Sequence, residues 1–314
     1  MSKYNNFGQY ILVVCPNPAV DIYAKIDSFK QGGTNRIVEE TQFPGGKGVH
    51  VAMAAAELGE KVVLLGFWGG PTGTWIKKEI EERFPSIQCV GPEVTGWTRC
   101  CYTFKSNSDF DDAELLGTGP TLNENNIEAF QDTFEKYINN STCVCLSGSW
   151  PKGAPENGYA NMIKVSKTNH KATFLDCTGV QLENAIKMKP YMVHLNKKEV
   201  CEAYGVNDIK EAIAQLVKTC DYAAVTDGAK GLYLADSTSL IQASCTLEKD
   251  KIYSAVGCGD CLTAGLVVAY VRNLNNDALA KMAVACGSAN CLRKDLGMLY
   301  AQDVAMLLEQ AILV

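Results

Sequence analysis

The sequence predicts an α/β protein: a mostly parallel central sheet with helices on both faces, three layers deep, plus a small β-sheet lid. Two observations carry this. Short, continuous apolar runs alternate with longer helical stretches along most of the 314 residues, and strands buried on both faces have no polar side to show. The rhythm breaks at 18–44 and 96–118, where polar and apolar residues alternate between turn formers. Those segments predict antiparallel strands of a second sheet, inserted as a flap. No linker, repeat or low-complexity stretch intervenes, so 1–314 is expected to be one domain with the lid inserted.

Taken in order, YILVVC (10–15) predicts the first buried strand. Residues 46–59 predict a helix ended by Gly59. A strand at 61–67 and a helix at 72–84 follow. Residues 123–138 predict a helix because Ile127, Phe130, Phe134 and Ile138 share one face. Strands at 142–148 and 172–177 flank a helix near 156–169. A strand at 191–196 leads into helices near 197–204 and 208–219, then a strand at 222–228. The last third predicts helices at 259–273, 277–292 and 301–312.

Composition narrows the function classes. Charged residues are 20% and the net charge is −6, which gives no basic patch for nucleic acid or an anionic membrane. The first fifteen residues lack the charged head and apolar stretch of a secretory signal, and no apolar run is long enough to span a bilayer. A cytoplasmic location is expected. The fourteen cysteines then read as thiols rather than a disulfide framework.

Five motifs fall where ligands gather in open α/β sheets, beyond the carboxyl ends of the strands. In NPAVD (17–21), Pro-Asn-Pro replaces the glycines of a dinucleotide site, and Asp21 could accept sugar hydroxyls or simply shape a turn. In PGGKGVHVA (44–52), Gly45 and Gly46 permit close backbone approach, the next helix aims its amides there, and Lys47 adds a cation. SGSWPKG (147–153) offers Ser147 and Ser149 at a strand end. In HLNKKEV (194–200), Asn196 and Glu199 either organise Mg²⁺ through water or open a helix; His194 reads as a core histidine. The fifth motif is VGCGD (256–260). Its glycines lead into a helix N-terminus able to hold a phosphoryl group, with Asp260 as a base for an attacking hydroxyl or as an N-cap. Cys258 and Cys261 also form a C-x-x-C. A structural zinc needs four ligands, and neither a second such pair nor enough histidines exist. A helix N-terminus lowers a thiol's pKa, so Cys258 is expected to react with alkylating reagents.

These motifs, in this order, resemble the ribokinase-like (PfkB) carbohydrate kinases, in their phosphosugar branch of 1-phosphofructokinases and tagatose-6-phosphate kinases. PGGKG, LGFWGGPTG, Thr98-Arg99, SGSWPKG, DCTG, NKKE, TDGAKG and VGCGD all follow the family's sequence. The resemblance implies a ribokinase-like α/β/α sandwich that uses ATP and Mg²⁺ to phosphorylate a ketohexose phosphate, fructose 1-phosphate first among the choices. It implies Asp260 as catalytic base and Gly257, Cys258 and Gly259 as anion hole. Asp21, Gly45 and Gly46 match sugar-binding positions. Arg99, with Arg36, Lys47 and Ser149, matches positions that hold the acceptor's phosphate. Asn196 and Glu199 match the Mg²⁺/phosphate motif, with Glu199 acting through water. Thr226, Gly228 and Gly231 match the nucleotide loop, and Asn290 lies near the expected adenine pocket. Dimerisation through the lid sheet is also implied. Three residues depart from the pattern: His50 where the family has a sugar-contacting Asn, Cys258 where Ala is usual, and Trp150 where Leu is usual, at the expected edge of the sugar pocket.

Overall fold

The computed structural model describes residues 8–106 and 111–314. Residues 107–110, inside the expected lid segment 96–118, and residues 1–7 lie outside the described residues. Among the described residues, the central sheet has ten strands. From one edge run Ile87–Val90, Val62–Gly66, Tyr10–Cys15, Ser141–Ser147, Thr173–Asp176, Met192–Asn196 and Tyr222–Thr226, all parallel. Leu232–Ala235, Leu240–Ser244 and Ile312–Leu313 complete it, each antiparallel to its neighbour.

The first strand shows why a continuous apolar run was needed. Ile11, Val13 and Cys15 enter one hydrophobic core, while Tyr10, Leu12 and Val14 enter another across the sheet. Helices Lys47–Glu57, Gly70–Arg83, Cys258–Val271, Asn276–Cys291 and Ala301–Gln310 bury residues in the first core. Glu124–Ile138, Gly158–Thr168, Gly179–Ala185, Lys197–Tyr204 and Ile209–Leu216 bury theirs in the second. This is the expected three-layer arrangement. Among the described residues, no helix is long and apolar enough to cross a membrane.

Parallel register sets the strand ends level. Cys15 pairs with Gly66, Ser147 with Asp176, and Asn196 with Thr226. All lie at the carboxyl ends of their strands, so one edge of the sheet collects Ser147, Asp176, Asn196 and Thr226.

The lid differs from the expected antiparallel sheet. Ala19–Lys25 pairs antiparallel with Glu39–Gly45, and Arg99–Lys105 antiparallel with Ala113–Leu116, but Ala19–Lys25 and Arg99–Lys105 run parallel. Two hairpins therefore join side by side. Two helices, Lys47–Glu57 and Gly70–Arg83, and two central-sheet strands, Val62–Gly66 and Ile87–Val90, lie between them in sequence, which is the long kind of crossover a parallel pair requires. Val20 and Ile22 point into the core while Asp21, between them, faces the other way, as the period of two dictates.

Candidate active site

The site forms where the lid, the first helix and the helix Cys258–Val271 meet. Gly257 precedes that last helix at φ 84°, a left-handed conformation that glycine adopts without strain. Space also demands glycine: a Cβ on Gly257 would lie 2.3 Å from the Cα of Gly297. The turn is held from behind by Asn290, which is 2% exposed and donates through Nδ2 to the Val256 carbonyl at 2.9 Å. Ser254 Oγ accepts from the Val256 amide and donates to Asp112 of the lid. The loop before the helix is thus fixed on two sides; the Cys258 amide bonds the Ala255 carbonyl at 3.2 Å, and those of Gly259 and Asp260 have no earlier helical carbonyl to bond.

Asp260 sits in that first turn and is buried. Its Oδ2 lies 2.7 Å from His50 Nδ1, a contact between residues 210 apart in sequence. On the ring's other side, Nε2 is 3.0 Å from Oδ2 of Asp21. That second contact is an ion pair whose direction falls short of a hydrogen bond. Asp21 Oδ2 also accepts from the Gly46 amide at 3.4 Å. Asp21 presses against Gly45 so closely that a Cβ there would lie 2.1 Å from the carboxyl carbon. His50 is in the first full turn of its helix, its amide bonded to the Gly46 carbonyl. Burial works against a cation here, but the close contacts and charges of Asp21 and Asp260 outweigh it and push His50 up to about 10.

A second polar group underlies the turn. Lys47 Nζ is 3.0 Å from Oδ1 of Asp176, whose other oxygen accepts from Thr263 Oγ1 at 3.2 Å. Thr263 Oγ1 is 3.1 Å from His194 Nδ1, and His194 Nε2 is 3.5 Å from Thr226 Oγ1. A consistent proton arrangement has His194 Nδ1–H donating to Thr263 and Thr263 donating to Asp176. Burial opposes the Asp176 charge, but Lys47 and His194 leave its carboxyl well below the usual range. Asp176 in turn raises the Lys47 ammonium, with burial opposing and Asp260 and Glu199 assisting. A Cβ at Gly259 would lie 3.2 Å from the His194 ring. The network therefore runs from beneath the turn at Gly257–Gly259 to Thr226.

Thr226 opens on a cleft of ≈ 470 Å³ lined by Asn196, Lys197, Lys198, Cys201, Asn207, Asp227 and Gly228. Asn196 and Glu199 form a reciprocal helix cap: Asn196 Oδ1 accepts from the Glu199 amide and Glu199 Oε2 from the Asn196 amide, both at 2.9 Å.

The family model for pfkB family carbohydrate kinases matches residues 13–299. The chain belongs to the pfkB family of carbohydrate kinases. These enzymes are phosphotransferases with an alcohol acceptor, and a carboxylate beside first-turn helix amides suits that chemistry. Solved structures agree on the fold. Phosphofructokinase-2 from Escherichia coli, in complex with fructose-6-phosphate, superposes with a TM-score of 0.85 at 22% identity, covering 96% of this chain and 98% of that one. A possible 1-phosphofructokinase from Thermotoga maritima gives 0.86 at 22%, covering 98% and 99%. Ribokinase from Arabidopsis thaliana, with ribose and ATP, gives 0.74 at 20%, covering 96% and 99%.

In this kinase the residues singled out by sequence fall into three sets. Asp21, Gly45, Gly46, His50, Gly257, Cys258, Gly259 and Asp260 converge. Asn196, Thr226 and Gly228 share the cleft, and Glu199 caps its rim. The rest stand apart. Arg99 donates through Nε and Nη2 to the Asn17 carbonyl and through Nη1 to the Gly117 carbonyl, at 3.1–3.3 Å. Ser149, exposed, accepts from Asn17 Nδ2 at 3.5 Å. Arg36 is exposed on the lid loop. Gly231 supports the neighbouring hairpin, since a Cβ there would meet the Ala243 carbonyl at 2.0 Å.

Three of these residues have contacts that the sequence did not show. Asn290 is a buried strut for the turn at Gly257. Trp150 packs against Phe67, Phe130 and Tyr159, partly buried beside the second core. Cys258 is not activated by its helix end. Its Sγ lies 3.1 Å from Cys291 Sγ, and that contact together with burial pushes its thiol well above the ordinary range. The same contact lowers Cys291. Sequence reasoning missed Asn17, Asp176 and Thr263 as members of the site. The DCTG motif was the available signal for Asp176.

Proposed function

We propose that this kinase transfers the γ-phosphate of ATP to a hydroxyl of a ketohexose phosphate. Fructose 1-phosphate is the first choice, ahead of tagatose 6-phosphate and fructose 6-phosphate. The observation that carries the reading is the convergence of Asp21 and Asp260 on the buried His50 ring beside the helix amides. The acceptor hydroxyl loses its proton to Asp260. The 257–260 amides stabilise charge on the moving phosphoryl group. Asp21, with the backbone at Gly45 and Gly46, orients the sugar.

Arg99 supports a phosphorylated acceptor. Three of its five N–H groups hold the carbonyls of Asn17 and Gly117. The fork is thus oriented before binding and has two N–H groups left for a phosphate. Arg36, Lys47 and Ser149 are further candidates, though Lys47 is paired with Asp176. The E. coli relative's structure contains fructose-6-phosphate and the Thermotoga relative is named a possible 1-phosphofructokinase; both fit this acceptor class.

The nucleotide fits the cleft at Asn196, Thr226, Gly228 and neighbouring Gly231. Among the described residues, no three metal-ligating side chains cluster. That suits Mg²⁺, which keeps waters and binds mainly through phosphates. Glu199, with one oxygen outside its helix cap, would orient such a water, and the ion would offset phosphate charge. Exposed Val38, Leu115 and Leu116 on the lid favour a homodimer through that sheet. We place the enzyme in the cytoplasm, as a single catalytic domain with its lid.

An ATP-consumption assay over ketohexose phosphates, plain ketohexoses and nucleosides tests this. Arg99→Ala should raise the KM for the phosphosugar by about 10- to 100-fold, the scale of one charged hydrogen bond. Preference for a plain sugar, with Arg99→Ala indifferent, would instead mark an ordinary sugar kinase. Phosphosugar binding without ATP consumption would mark a sensor.

A further inference from the structure

His50 lies between two acids, in hydrogen-bond contact with Asp260 and at ion-pair distance from Asp21, an arrangement that favours the charged ring. A neutral imidazole has one N–H and one lone pair. Either tautomer would aim that lone pair at a carboxylate oxygen, 2.7 Å away at Asp260 or 3.0 Å away at Asp21. The imidazolium donates to Asp260 and sets its second N–H edge at ion-pair distance from Asp21. The backbone is also cut to the ring's shape, because a Cβ on Gly297 would lie 2.1 Å from His50 Cγ. The ring is 3% exposed, so water cannot substitute for either acid. Other titratable groups facing it are few. Glu114 acts at longer range from the lid. Lys47, on the same helix, is paired with Asp176. The nearby Cys15 thiol is pushed up to about 11 by burial and stays neutral. The segment at Gly297 presents no charge to the ring.

We propose that His50 is a positioning residue for phosphoryl transfer: its imidazolium clamps Oδ2 of Asp260 and Oδ2 of Asp21, lets two carboxylates share one pocket, and leaves Oδ1 of Asp260 as the atom that meets the acceptor hydroxyl. The role rests on the kinase reading. In the step, the acceptor O–H bond breaks and its proton passes to Asp260 Oδ1. The acceptor oxygen bonds the γ-phosphorus, while the bond from that phosphorus to the bridging oxygen breaks and its electron pair leaves on ADP. His50 keeps both protons throughout. Among the described residues, Oδ1 of Asp260 has no hydrogen-bond partner, which is the arrangement this step needs.

The sign of the pH effect follows. The imidazolium clamp is complete below the ordinary histidine value of about 6.5 and is lost as pH rises through the folded value of about 10. Turnover should therefore have an alkaline limb set by His50.

The test uses the full chain labelled with ¹⁵N-histidine. With three histidines present, His50→Asn assigns the His50 ring signals by their loss. At pH 8, without substrate, both His50 nitrogens should be protonated, and Asp21→Asn should move the titration midpoint down. In steady state, His50→Gln should lower kcat by about 100-fold, as a misplaced reacting group does, with ATP affinity kept and the alkaline limb gone. Asp21→Asn should move that limb down by the same interval as the NMR midpoint. A neutral His50 ring at pH 8 would overturn the clamp without using activity, even if His50→Gln folds poorly. A limb that stays fixed while the NMR midpoint moves would overturn the positioning role. Absence of turnover in the wild-type protein, with the imidazolium intact, would defeat the kinase reading and the role with it, while leaving the clamp.

Discussion

The proposed acceptor side and the proposed nucleotide side of this site are built on opposite plans. On the acceptor side, Asp21, His50 and Asp260 come from a lid strand, the first helix and a late helix, and their charges interlock out of water. On the nucleotide side, Asn196 and Glu199 bond mainly each other, at an exposed helix start beside an open cleft. The first arrangement exists only when three distant segments are packed together. The second is local and needs just four consecutive residues. Preorganised charge belongs where a proton must move along a fixed line, whereas a mobile triphosphate can be met by groups that adjust. Discrimination between acceptors is therefore expected to reside in the interlocked half.

The network that joins the two halves is the place to break the contrast. Asp176 is 1% exposed and serves Lys47, Thr263 and His194. Asp176→Ala should cost about 1–3 kcal/mol of stability through buried donors left unpaired, read as a lower urea midpoint with unchanged slope. It should also weaken turnover, because Lys47 and the turn above His194 lose their anchor. An unchanged midpoint would mean the two halves are mechanically independent.

A smaller effect sharpens the view of the anion turn. Because the Cys258–Cys291 contact raises one thiol and lowers the other, brief iodoacetamide treatment followed by peptide mapping should label Cys291 before Cys258. Preferential labelling of Cys258 would show that the helix N-terminus outweighs its neighbour.

The contrast also explains what could be read in advance. The strand Tyr10–Cys15, the helix Lys47–Glu57 and most of the parallel sheet were legible, because continuous apolar runs and a 3.6-residue period are local signals. Asn196 and Glu199 were legible for the same reason. The hairpin Leu232–Ser244 was missed, since its turn at Asp236–Ser239 interrupts a short run that resembles loop. The parallel pairing inside the lid was missed because register between segments about 80 residues apart is a tertiary outcome. His194 was correctly expected to be buried, but its links to Thr263 and Thr226 depend on partners 69 and 32 residues away. Likewise His50 stood out as a departure, and only the fold shows it lying between two carboxylates. Asp260 was visible as a motif; that its neighbour's thiol is occupied by Cys291 was not.

The central claim is that Asp260 takes the proton of the acceptor hydroxyl. Asp260→Asn, compared with wild type in single-turnover assays on the best acceptor and in parallel ATP titrations, tests it most directly. The account predicts a rate lower by about 10²- to 10⁴-fold, the range of a lost general base, with ATP affinity within a few-fold of wild type. Near-normal phosphoryl transfer in that variant would contradict it.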